Sequence, residues 1–239
     1  MLGITCALYD EAAELIKLLT RQKTDSIYHY AGTLKGVPVS LFLTKPGLHK
    51  NKNQLIKWLK TGNITSLLQT GYCGALSNRY RPGDVCMIGR VSCFSKPYAM
   101  DFHSIPENSP LAMDFHSLLT VERPILTMNE RDNISDTHTA DVIDMEAWHI
   151  CHLLKTDFTE IKTRVIKIVG DVPGEELLMN HEIHMRSFFK EHRLKNRIKI
   201  AVKTGRPFFE LYRRKRMLQN TLKAVVLDYI ENLHEISAK

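Results

Sequence analysis

No apolar run in this chain approaches the ~20 residues a helix needs to cross a bilayer, and no membrane span is expected. Paired CxxC spacing and HExxH are both missing. The five cysteines, at positions 6, 73, 86, 93 and 151, are odd in number and scattered, so neither a disulfide framework nor a zinc site is expected. The eleven histidines show no metal-ligand spacing, so no metal and no cofactor are expected. The opening MLGITCALYDEAAEL does not read as a secretory signal: acids arrive by position 10 and no basic segment precedes the apolar stretch. A reducing, cytoplasmic setting follows as the expectation. Internal repeats and low-complexity segments are also absent.

What is present is a globular composition: 239 residues, 44% hydrophobic and 25% charged, enough for a substantial core. The formal charge of +7 is uneven. Residues 186–216 hold twelve Lys or Arg against two acids, so this segment makes the chain basic and leaves the remainder slightly acidic. Such a segment attracts anionic headgroups at about 1 kcal/mol per cation near the surface, and peripheral membrane contact through 186–216 is one expectation. The other is a solvated helix face whose apolar side lies on the core. Nucleic acid is set aside, since no aromatic stacking platform or binding motif accompanies the charge.

Along the chain, Leu2–Leu8 reads as a buried strand, and Asp10-Glu11 opens an amphipathic helix. Ile27–Gly32 and Val37–Thr44 flank Lys35-Gly36 as a hairpin. Lys45-Pro46-Gly47 then leads into a helix ending near Lys60, with Gly47 placed to admit a polar ligand. Ile64–Gln69 reads as a strand that ends at a glycine-bracketed turn, Thr70-Gly71-Tyr72-Cys73-Gly74. A tight turn at Arg81-Pro82-Gly83-Asp84 feeds the strand Val85–Val91. Residues 93–119, with Pro97, Pro106 and Pro110, read as a long loop with a short helix near its end. Ile125–Met128 reads as a strand, Val142–Leu154 as a strand end running into a buried helix, and Arg164–Val169 as a strand ending at Gly170-Asp171. A helix over Glu175–Lys190 and a long helix from Phe208 to about Leu233 follow. Strands and helices alternate, so the class is α/β.

Three acids, Glu11, Glu146 and Asp171, fall at ends of predicted strands, where open α/β sheets bind ligands. Taken with the segments GITCALYDEAAEL, GTLKGVPVSLFLTKPG, QTGYCGALSNRYRPGDV, VIDMEAW and VIKIVGDV, in that order from residue 3 to about 172, they carry a family likeness. The chain resembles the nucleoside phosphorylase and nucleosidase superfamily, most of all its 5′-methylthioadenosine/S-adenosylhomocysteine nucleosidases. The resemblance implies one nucleoside-phosphorylase-like domain over 1–239, a mixed central sheet flanked by helices, with 178–239 as a divergent basic helical extension. It also implies a homodimer, to which the 93–119 loop would contribute.

Cleaving an N-glycosidic bond passes through an oxocarbenium-like state. By the resemblance, Asp171 is the general acid at purine N7, which calls for a carboxyl group kept protonated by burial. Glu11 is the base that activates water, Glu146 accepts from the ribose hydroxyls, and Met145 packs on the sugar. Tyr72, Cys73 and Gly74 stand at the ligand, Cys73 as a packing residue without a histidine partner. Four departures qualify the likeness. Gly170 replaces the family's serine before Asp171, and Tyr72 replaces a small residue. Gln69 holds the place of a phosphate-binding arginine, and Leu8-Tyr9-Asp10-Glu11 replaces the Gly-Asp-Pro phosphate loop. Water is therefore favoured over phosphate. Glu130, Arg131 and Asp132 also depart from the apolar base pocket expected at 127–133. The expected function is hydrolysis of a purine nucleoside or 5′-substituted adenosine to free base. The run KTGRPFFELYRRKRMLQNTLKAV is similar to the tail of phosphorylase-like enzymes of hopanoid synthesis, so hydrolysis or phosphorolysis of an adenosyl lipid at a membrane surface stands as one alternative. A non-catalytic nucleoside-binding or storage protein stands as the other.

Overall fold

The computed structural model describes residues 1–24, 27–48, 51–96, 98–101, 115–125, 127–174 and 206–237. Its strands are β1 (Leu2–Cys6), β2 (Thr20–Thr24), β3 (Ile27–Leu34), β4 (Val37–Leu43), β5 (Ser66–Ala75), β6 (Val85–Cys93), β7 (Met100–Asp101), β8 (Phe115–Thr120), β9 (Val142–Asp144) and β10 (Lys162–Asp171). The helices are α1 (Tyr9–Ile16), α2 (Lys52–Thr61), α3 (Met128–Thr137), α4 (Ala147–Asp157) and α5 (Arg206–Ser237). The strands form one mixed sheet in the order β10-β6-β8-β9-β5-β1-β4-β3-β2, with β7 on β6. β10 also pairs with β5, which closes β10, β6, β8, β9 and β5 into a ring. The expected α/β class and helix-flanked mixed sheet are what the chain forms.

β1, β4, β5 and β10 run parallel through the centre. β1 is buried at every position, as befits a strand covered on both faces. α1 and α5 cover one face. Ala12, Leu15 and Ile16 of α1 and Leu218, Leu222, Val226 and Ile230 of α5 pack on Ile4, Leu41, Leu68 and Ile168. The four-residue recurrence along α5 is one apolar stripe, so this helix closes the core. α2 and α4 cover the other face through Leu55, Trp58, Ile150 and Leu153. The β3–β4 hairpin turns at Lys35 and Gly36, both with positive φ, the primed turn that suits the twist of paired strands.

Four readings of the sequence need correction. Residues 71–74 are not a turn: β5 continues to Ala75 and pairs with β10 as far as Gly74. The chain turns after it, before β6. Ile125–Met128 is not a strand. Residues from Thr127 instead open α3, where Thr127 and Glu130 form a reciprocal capping box. The reading of 93–119 as loop missed β7 and β8, and β8 lies parallel to both β6 and β9. Leu8 is not in the first strand but precedes α1. The expected helix at 175–190 and most of the basic segment lie outside the described residues.

Candidate active site

The carboxyl ends of β1, β4, β5 and β10 lie at one edge of the sheet, and the last residues of β5 and β10 and the chain beyond β1 and β4 contribute to one cavity of about 300 Å³. Glu11, in the first turn of α1, points back across the end of β1. Its Oε2 accepts from the amides of Ala7 (2.8 Å) and Leu8 (2.9 Å), and its Oε1 accepts from Tyr72 (3.2 Å). Gly71 makes this approach feasible. Its φ is +139°, and a Cβ there would fall 3.0 Å from Glu11 Oε2. α5 braces the start of α1, since Lys215 pairs with Asp10 at 2.8 Å and Gln219 donates to the Asp10 carbonyl. Burial raises the pKa of Glu11, although the amide of Leu8, the charge of Lys167 and the amide of Tyr72 oppose that rise.

Glu146 sits between β9 and α4 and is buried. Its Oε1 accepts from the amide of Gly47 at 3.2 Å. Burial, then the neighbouring charge of Asp144, pushes its carboxyl pKa up to about 8, with Lys167 pulling the other way. Lys167 itself is sealed inside β10 and pairs with Asp144 at 2.7 Å. Burial works against its ammonium, but Asp144, then Glu146 and Glu11, outweigh that and hold its pKa above the usual lysine value. Asp144 is fully engaged: it also accepts from Thr120 Oγ1 (2.8 Å) and from the amide of Ala147 (2.9 Å).

Asp171 ends β10 opposite Gly74. The burial expected of it is not found. Its side chain keeps 28% of its exposure, and it forms an ion pair with Arg131 of α3, which is itself buried. Arg131 Nη1 also donates to the carbonyl of Ala75 at 2.8 Å. Met145, Tyr72, Cys73 and Gly74 line the same cavity, together with Pro46, Asp144 and Arg131. Tyr72 does not plug it. The ring packs partly into the α1–α5 layer, its hydroxyl is buried without a partner among the described residues, and burial raises its pKa far above the usual phenol value. Burial, then its hydrogen bond with Cys86, raises the Cys73 thiol well above the usual range, consistent with a packing role. Gly47 lines a neighbouring cavity of about 270 Å³ with Lys52, Trp148, His149 and His152, and reaches the first cavity only through Glu146.

Two residues beside the three acids, Asp144 and Lys167, escaped the sequence reading, and Arg131 figured there only as a departure from the expected base pocket. A lysine inside the apolar run Val165–Val169 is the one available signal, because a charge in a covered strand demands a buried counterion.

With ring-closed β5 and β10, the helix behind Glu146 and the three acids at one mouth, the architecture is decided. The chain has the nucleoside phosphorylase fold. Residues 1–116 match the model of the phosphorylase superfamily. No curated protein matches the chain. Among solved structures it is similar to the 5′-methylthioadenosine/S-adenosylhomocysteine nucleosidase of Campylobacter jejuni, with 15% identity and a TM-score of 0.62 over 96% of each chain. The nucleosidase of Streptococcus pneumoniae bound to a transition-state inhibitor shares 16% identity at a TM-score of 0.63, over 94% of this chain and 99% of that one. A futalosine hydrolase of Helicobacter pylori shares 12% at 0.56, over 70% and 88%. The phosphorylase-type likeness read from the sequence therefore holds in the fold. The same fold hosts more than one chemistry, so activity must be argued from the site.

Proposed function

We propose that the chain hydrolyses the N-glycosidic bond of a purine nucleoside or 5′-substituted adenosine and releases the free base. One observation carries this: Glu11, Glu146 and Asp171, from three separate elements, line one cavity of about 300 Å³. Glu11 takes a proton from water, and the water oxygen bonds to C1′ as the C1′–N9 bond breaks. The bond's electron pair stays with the base. Glu146, in its ionised form, accepts from the ribose hydroxyls, and Met145 packs on the sugar. Asp171, the proton donor implied by the family likeness, meets the N7 edge of the purine beside Arg131; in its protonated form it gives the base one proton, and it is reprotonated as Glu11 releases the proton taken from water. Each acid or base step of this kind typically contributes ~10²–10⁴-fold.

Water is favoured over phosphate on charge grounds. The lining carries the carboxyl groups of Glu11, Asp144, Glu146 and Asp171, and the cation among the described lining residues, Arg131, already pairs with Asp171. Gln69, in the place of a phosphate-binding arginine, is buried away from the cavity with its Oε1 on the Cys151 thiol. The relatives named as nucleosidases and as a futalosine hydrolase support glycosidic hydrolysis as the reaction class. The test is base release from methylthioadenosine and from methylthioinosine, with and without phosphate. Release in phosphate-free buffer, lost in Asp171→Asn, is expected. A requirement for phosphate overturns the hydrolase reading, and nucleoside binding without turnover favours a storage protein.

A second reading concerns where the reaction takes place. Arg213 and Arg216 are exposed on α5, and Tyr212 and Met217 beside them each keep 39% of their exposure. Cations interleaved with apolar side chains suit an anionic lipid surface. Salt-sensitive binding to phosphatidylserine vesicles, lost when Arg213 and Arg216 become Glu, is expected; unchanged binding refutes it. A homodimer, implied by the family likeness, is tested by sedimentation.

A further inference from the structure

We infer that the base taken by this cavity is a 6-oxopurine rather than a 6-aminopurine, and that Arg131 selects it. The inference rests on the proposed glycosidic hydrolysis, with Asp171 at N7, and names the substrate class for that site.

The groups are ordered along β5. Glu11, which handles water at C1′, is bound to the amide of Tyr72. Asp171 comes next, over Gly74, where a Cβ would lie 3.2 Å from its Oδ2. Arg131 comes last, bound to the carbonyl of Ala75, with its Nη1 3.5 Å from the same Cβ position. A purine has the same order outward from the sugar: the glycosidic nitrogen, then N7, then the substituent at C6. Matching the two places Asp171 at N7 and Arg131 at C6. Arg131 is held ready there. The capping box of Thr127 and Glu130 fixes the start of α3, Arg123 pairs with Glu130, and Ile134 anchors the helix in a small apolar cluster.

A guanidinium is a permanent cation and a donor only. A 6-oxopurine presents two adjacent acceptors, O6 and N7, the pair that arginine reads on guanine; a 6-aminopurine presents a donor at C6. Against Arg131 the oxo group is matched and the amino group is opposed. The same charge serves the reaction. When C1′–N9 breaks, the electron pair left on a 6-oxopurine spreads to O6, beside the guanidinium of the Arg131–Asp171 pair. The water's proton passes to Glu11 and the departing base takes a proton from protonated Asp171, which is reprotonated as Glu11 releases its own to solvent, so one water is consumed and a neutral oxopurine leaves. Arg131 acts here by the local polarity of its guanidinium, a donor surface with no acceptor, even while it pairs with Asp171.

The test compares methylthioinosine with methylthioadenosine, which differ only at C6, alongside binding of free hypoxanthine and adenine by calorimetry. The oxo member of each pair is expected to be favoured by about tenfold or more, and Arg131→Gln should erase the preference. Because Arg131 is buried, Arg131→Lys serves as a second variant that keeps the charge and part of the preference. Turnover with equal or greater preference for the amino member overturns the inference and leaves the hydrolase reading standing; it would mean Arg131 lies on N7 and Asp171 on the amino group. Absence of turnover overturns the hydrolase reading, and the two free bases then decide: tighter hypoxanthine supports the assignment, while tighter adenine or no binding of either refutes it.

Discussion

Replacing Lys167 with methionine tests the charge balance beneath the site. The Lys167 side chain is 2% exposed and its ammonium lies 2.7 Å from Asp144, whose own side chain is 1% exposed. Asp144, Glu146 and Glu11 all act on it, in that order. Methionine fills similar space but leaves the carboxylate of Asp144 buried without a counterion. Breaking one side of a buried pair typically costs about 3–5 kcal/mol, a large share of the ~5–15 kcal/mol that holds a domain together. Urea unfolding of Lys167→Met should therefore show a loss of that size. Lys167→Met with Asp144→Asn should recover most of it, because the double variant buries no lone charge. A second readout follows from Glu146. Lys167 opposes the rise of its carboxyl pKa to about 8, so removing the cation should move the rising limb of activity to higher pH. A single variant within about 1 kcal/mol of wild type would refute the reasoning, as would a double variant no more stable than the single one.

Three further outcomes are expected. Glu146 has a folded-state pKa of about 8 against an ordinary value of 4.5, so the folded state holds a proton that the unfolded state has lost. Stability should be fullest below the lower value and decline as pH rises toward the higher one, at up to about 1.4 kcal/mol per unit; Glu146→Gln should flatten that decline in denaturation curves. Gly71→Ala places a Cβ at φ +139° and 3.0 Å from the Glu11 carboxylate, and should cost about 1–3 kcal/mol with a fall in activity; unchanged melting would contradict the close approach. Gly170→Ser meets Tyr72 Cβ at an ordinary 3.4 Å, so it should fold with a stability change under about 1 kcal/mol, and a larger loss by calorimetry would contradict the open space beside Asp171.

The sequence was most legible where pattern and punctuation agree. β1, the β3–β4 hairpin, the β9–α4 junction and β10 all follow from apolar runs bounded by turn residues, and the stripe along α5 follows from its recurrence. Gly71 and Gly74 misled because glycine signals two things. In this protein it does not end a strand but opens room beside it, for Glu11 at one position and for Asp171 at the other. α3 was missed because MNERDNISDT buries only Arg131 and Ile134, too few for a periodic signal; the Thr127–Glu130 capping box was the available one. β8 was hidden in a stretch read as loop on account of its prolines. The three acids stood out by their places at ends of predicted strands, and they line one cavity. Their company did not stand out, since Arg131 meets Asp171 across 40 residues of chain and Lys167 meets Asp144 across a sheet. Pairings at such separation are set by the fold rather than by local pattern.

The most direct measurement is a crystal structure of the chain with a nucleoside analogue whose base and sugar are joined by an uncleavable carbon–carbon bond. The ribose hydroxyls should lie within hydrogen-bond distance of Glu146, a water between Glu11 and C1′, and the base edge against Asp171 and Arg131. An analogue seated elsewhere, or one whose sugar touches none of the three carboxyl groups, would contradict the claim that they act together on one glycosidic bond.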